Sequence, residues 1–73
     1  MTVLDDIMDK MAYQQGLSEL KQINNSLHNK QYIVYTKHLV RLFDCIEFLN
    51  TTSLQDDLYH RLETLQKAYM VKK

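Results

Sequence analysis

The side chains of this 73-residue chain that could do chemistry are few: one cysteine, Cys45, three histidines, His28, His38 and His60, and the carboxylates near them. A thiolate–imidazole nucleophile needs the two groups within hydrogen-bond reach. His38 precedes Cys45 by seven residues, two helical turns or roughly 10 Å, which is too far. Cys45 instead flanks an apolar seam and reads as a small buried residue. Asp57, His60 and Glu63 stand three apart, a spacing that could offer a carboxylate and an imidazole to a metal from one helix face. The di-iron pattern needs Glu-x-x-His twice, with further glutamates from facing helices, and nothing here repeats it. His28 falls in a polar turn. No Gly-rich phosphate loop and no Ser/His/Asp grouping is present. The expectation is a chain with no catalytic residue, cofactor or metal site, and not an enzyme.

The elements that carry these residues are legible from punctuation and periodicity. There is no proline and one glycine, so turns must come from Asn, Ser and Thr clusters. Two such clusters, NNSLHN at 24–29 and NTTS at 50–53, divide the chain into three helical segments of about 3–26, 30–49 and 53–71. In the first, Thr2 with Asp5 resembles a capping box, and Asp5 and Asp6 suit the positive end of the helix dipole. Leu4, Ile7 and Met11 form one stripe, and Leu17, Leu20, Ile23 and Leu27 continue it after a shift near Gly16, bridged by Tyr13. Gly16 costs about 1 kcal/mol relative to alanine in a helix. We read it as a tolerated glycine in one continuous helix to about residue 26, with a break at Gly16 into two short helices, or close approach of a partner helix, as the alternatives.

The middle segment, YIVYTKHLVRLFDCIEFLN at 32–50, carries twelve apolar or aromatic residues in nineteen. Tyr32, Tyr35, Leu39, Leu42, Ile46 and Leu49 follow at spacings 3, 4, 3, 4, 3, a heptad seam that predicts a helix, with Asn29 as its cap. Polar residues fall mostly on one line, Lys37, Arg41, Asp44 and Glu47. Ile33, Val40, Phe43 and Phe48 lie off the seam and need other cover. The third segment has its stripe at Leu54, Leu58, Leu62, Leu65 and Tyr69. Thr52 with Gln55, or Ser53 with Asp56, could close a capping box. The i,i+4 pairs Asp57–Arg61 and Glu63–Lys67 run in the favourable order and read as a solvated face. Three helices joined by short turns predict an all-α, up-down-up antiparallel domain, a helical hairpin with the third helix across it.

Composition narrows the function. A single domain this small is marginal without a staple. One cysteine allows no internal disulfide, and no Cys/His cluster can hold zinc, so association with itself or another chain is the expected aid, with a compact, well-packed monomer as the alternative. A lone thiol suits a reducing compartment. Nine basic and nine acidic residues give zero net charge, which argues against a strong electrostatic grip on nucleic acid or an anionic membrane. The acidic start MTVLDDIMDK is unlike a signal peptide. The charges at Lys37, Arg41, Asp44 and Glu47 exclude a membrane span over 32–49, so a cytoplasmic protein is expected. The tail Lys72–Lys73 is too short for a nucleic-acid arm.

The order MT-x-L with acids, a polar turn, then KQYIVY opening a heptad helix resembles the small helical co-chaperones of type III secretion needle subunits. The resemblance covers Lys30 to Tyr35 and the rhythm after it, a third of the chain. It implies a hairpin that holds a partner chaperone and keeps an aggregation-prone subunit soluble. The third segment here exceeds a plain hairpin.

The function expected from the residues is a non-enzymatic interaction module, a small chaperone, adaptor, regulator or inhibitor. It would present an apolar helical face to a partner protein or to its own copy. The candidate interface is Ile33, Val40, Phe43 and Phe48, joined by Tyr59, which lies beside the Leu58/Leu62 stripe. Tyrosine suits such surfaces by being apolar with a polar tip. Met1, Met8, Met11 and Met70, clustered near the chain ends, could adapt to irregular partners or fill core gaps. A DNA-associated regulator is the alternative. The third segment offers Gln55, His60, Arg61, Gln66 and Lys67, but Asp56, Asp57 and Glu63 among them would face phosphates.

Overall fold

The computed structural model describes the backbone of residues 3–70 and the side-chain packing of residues 6–69. The side chains of the expected Thr2–Asp5 cap, Leu4, Met1, Met70 and the Lys72–Lys73 tail lie outside the described residues. Three helices make up the chain: α1 Val3–His28, α2 Tyr32–Phe48 and α3 Thr52–Met70. Their order is up-down-up. Asp9 of α1 meets Asn50, and Glu19 meets His38, so α1 and α2 run antiparallel. Tyr13 and Gly16 of α1 meet Asp57 and Leu58, so α3 returns parallel to α1. The α1/α2 hairpin is the most extensive packing, α3 leans chiefly on α1, and the molecule spans 45 × 21 × 14 Å.

The core is one cluster built from all three helices: Leu20, Ile23 and Leu27 of α1, Tyr35, Leu42, Ile46 and Leu49 from the α2 segment, and Leu58 and Leu62 of α3. The α2 seam lies inward as expected, save Tyr32 at its open end, which is exposed. The first half of α1 departs from expectation. Ile7 and Met11 are exposed, and the buried line there is Asp9, Ala12, Gly16 and Glu19. At Gly16 the smallest residue wins because two helices converge on it. A methyl group at Gly16 would lie 2.7 Å from Leu58 Cδ1 and 3.6 Å from Leu42 Cδ1. Gly16 is therefore a close-approach glycine in an unbroken helix, and our reading of it as merely tolerated is corrected.

The turns also differ from expectation. Asn24, Asn25 and Ser26 stay helical, and α1 ends at His28. The Ser26 hydroxyl donates to the Gln22 carbonyl at 2.8 Å, so this buried polar residue satisfies itself within the helix. Lys30 N–H then reaches Leu27 O at 3.2 Å, and Gln31 N–H reaches Ser26 O at 2.8 Å. This pair of bonds is the Schellman closure of a helix C-terminus. It requires a left-handed residue, and Lys30 supplies it at φ 59°. Gln31, not Asn29, occupies the N-cap of α2, without a side-chain cap bond. At the second turn neither expected capping box forms. α3 already begins at Thr52, and the Gln55 amide donates to Ile46 O at 2.9 Å and Leu49 O at 3.1 Å. It closes the carbonyl end of α2 instead of its own helix start.

Candidate functional site: the outer face of the middle helix

Polar groups at the helix contacts are committed to one another. The Asp9 carboxylate, 4% exposed, accepts from Asn50 N–H at 3.0 Å, Asn50 Nδ2 at 3.2 Å and the Thr51 hydroxyl at 2.6 Å. These bonds, led by Thr51 and the Asn50 backbone, hold its pKa below the ordinary carboxylate value. Asp57 likewise accepts from the Tyr13 hydroxyl and from Arg61 Nε, and both bonds lower its pKa, Tyr13 the more. The Asp57–Arg61 pair is thus part of an α1/α3 contact and not only a solvated face, whereas Glu63–Lys67, at 3.7 Å, is exposed. Buried Glu19 accepts from His38 Nδ1 at 2.6 Å and Gln15 Nε2 at 2.7 Å. Gln66 Nε2 donates to the Tyr35 hydroxyl at 3.0 Å. Among the described residues no buried side-chain nitrogen or oxygen lacks a partner.

The residues with chemical potential are spread apart by this arrangement. His38 is turned to Glu19, and Cys45 is half-buried with its thiol pKa raised, first by burial and then by Glu19 and Asp44. A raised pKa leaves less thiolate and so a weaker nucleophile. Asp57 is occupied, while His60 and Glu63 are exposed. Among the described residues no three His, Cys, Asp or Glu side chains converge as metal ligands, and no helix is long and apolar enough to cross a membrane.

The candidate interface residues stay outside the core. Ile33 is 88% exposed, and Val40, Phe43, Phe48 and Tyr59 are all exposed as well. The geometry of α2 explains why. Ile33 and Lys37 each lie nine residues before a buried residue, Leu42 and Ile46, and Asp44 lies nine after Tyr35. Nine residues are about two and a half turns, so these positions point directly away from the core. Ile33, Lys37, Val40, Asp44 and Glu47 follow at spacings 4, 3, 4, 3. They form a second heptad line on the back of the helix whose front is the core seam. Phe43 lies at the edge of this face towards α3, where its ring meets Tyr59 with centroids 6.2 Å apart and planes at 43°. That contact joins α3 to the α2 surface. Phe48 lies at the other end of α2, next to the turn that Asp9 holds.

Besides Val34 on α2, three apolar residues of α1 outside the candidate interface are exposed: Ile7, Met8 and Met11. The Asp9–Asn50 bond sets them at the same end of the hairpin as Phe48. Ile7 and Met11 are four apart, a spacing that periodicity alone assigns to a core stripe. A shallow groove of about 730 Å³ opens between α1 and α3, with Leu17, Leu20 and Leu65 on its floor and Lys21, His60 and Arg61 along its rim. No family model, curated protein or solved structure matches this chain.

Proposed function

We propose that the chain is a non-enzymatic protein–protein interaction module whose contact surface is the outer face of α2, with Ile33, Val40, Phe43 and Phe48, extended onto α3 by Tyr59. One observation carries this reading. Ile33 and its neighbours stay in water although the core is closed and the buried polar groups are paired. Burying one such side chain contributes about 1.5–3 kcal/mol, so a face that leaves several exposed is a place where association gains most. A DNA-associated role through α3 has less support, because Arg61 is held by Asp57 and Asp56 and Glu63 share the helix.

Replacing Phe48 or Phe43 with serine tests the reading. Each variant should fold, with Phe43→Ser losing the Tyr59 ring contact, about 0.5–1.5 kcal/mol, together with the part of its apolar surface that the fold covers. A buried aromatic would cost about 3–5 kcal/mol. Both should lose association and the binding of a dye for exposed apolar surface. Core-sized losses in thermal melts, or wild-type protein that stays monomeric at high concentration and binds no dye, would overturn the proposal. A salt-dependent shift of random duplex DNA at low salt would favour the DNA reading instead.

A further inference from the structure

The outer line of α2 carries a charge order as well as apolar residues. Lys37 lies in its N-terminal half and Asp44 and Glu47 in its C-terminal half, with Arg41 beside the line rather than on it. None of the four takes part in an ion pair within the described residues, and all four are exposed. We propose that the occupant of this face is a second copy of the chain, packed α2 against α2 in antiparallel fashion about a two-fold axis. The inference rests on the interaction reading above and names its partner.

Charge complementarity selects the partner. A face ordered basic then acidic meets its own copy favourably in only one direction. Placed parallel, Lys37 would face Lys37 and Asp44 would face Asp44, and like charges across an interface are repelled. Placed antiparallel, Lys37 of each outer line faces the acidic end of the other line. An isologous two-fold contact makes each such pair twice. With the axis crossing α2 near Val40, Lys37 of one copy comes opposite Asp44 of the other. Val40, one of the two β-branched residues of the outer line, then packs near its own equivalent, with Phe43 one turn away and Ile33 of one copy level with Phe48 of the other. The chain's zero net charge opposes association with no overall repulsion.

Sedimentation equilibrium on full-length protein over a range of concentrations and salt tests this. Wild type should reach a dimer that weakens with salt. Lys37→Glu with Arg41→Glu should raise the dissociation constant about tenfold or more, as should Asp44→Lys with Glu47→Lys. An equimolar mixture of the two double variants should restore a dimer containing one of each. Because all four positions are exposed, circular dichroism should show both variants folded. Val40→Cys with Cys45→Ser should oxidise to a covalent dimer, while Cys45→Ser alone should not. A wild-type monomer that still binds dye through Ile33 and Phe48 would overturn self-pairing and leave the interaction face standing. A dimer indifferent to both charge reversals, or a mixture that fails to restore it, would overturn the antiparallel arrangement.

Discussion

Substituting Gly16 by alanine sets two opposing terms against each other at one atom. In a helix interior alanine is favoured over glycine by about 1 kcal/mol, and Gly16 stands in the middle of α1 with no left-handed backbone to maintain. Propensity alone therefore predicts stabilisation. The added methyl would, however, lie 2.7 Å from Leu58 Cδ1 and 3.2 Å from Cδ2. Ordinary carbon contacts begin near 3.5 Å, so most of an ångström of overlap must be relieved. Leu58 is fully buried, with Leu42 beside it also fully buried, so its methyls cannot swing into water. Overpacking of this kind costs typically 1–3 kcal/mol. The steric term wins, and Gly16→Ala should destabilise by about 1 kcal/mol net. In a domain of this size that lowers Tm by about 4–8 °C, measurable by circular dichroism with urea melts in parallel. The sharper test is the background Leu58→Ala. That change alone should cost about 2–5 kcal/mol, and it removes the atoms the new methyl would strike. There Gly16→Ala should become stabilising, by up to about 1 kcal/mol. If Gly16→Ala stabilises the wild type by its full propensity, or if its sign does not reverse when Leu58 is shortened, the close approach of α3 to α1 is refuted.

Two other predictions follow from the turns and the acid dependence. Lys30 holds a left-handed conformation that costs a side-chain-bearing residue about 1–2 kcal/mol, so Lys30→Gly should stabilise, by up to about 1 kcal/mol after glycine's unfolded-state entropy is deducted, as read from urea midpoints; a loss would show that Lys30 makes a compensating contact. Asp9 and Asp57 have lowered pKa values in the folded chain, so their stabilisation is complete above the unfolded carboxylate value of about 3.9 and is lost as pH falls through the lower folded values. Asp9→Asn should lower stability at neutral pH and flatten the acid limb of a Tm-against-pH profile, and an unchanged limb would contradict the Asp9–Thr51 cap.

The sequence by itself determined three helices, their antiparallel order and the inward seam of α2. Those features are set by local spacing: the first turn follows the tail of the NNSLHN cluster and the second opens NTTS, and a 3,4,3,4 repeat of large apolar residues has one face to bury. The set Ile33, Val40, Phe43, Phe48 and Tyr59 was also legible as apolar residues in excess of the core, and the structure leaves all five exposed. Only the tertiary structure decided which side of α1 faces inward. Read along α1 alone, Ile7 and Met11 outrank Asp9, Ala12 and Gly16 as core residues. The choice reverses because the donors that make Asp9 tolerable in the interior, Asn50 and Thr51, arrive 41 and 42 residues later. Leu42 and Leu58 need a side-chain-free site to close over. Hydrophobic periodicity ranks positions by their own transfer free energy. A contact between helices is settled by shape and by paired polar groups that no single helix contains.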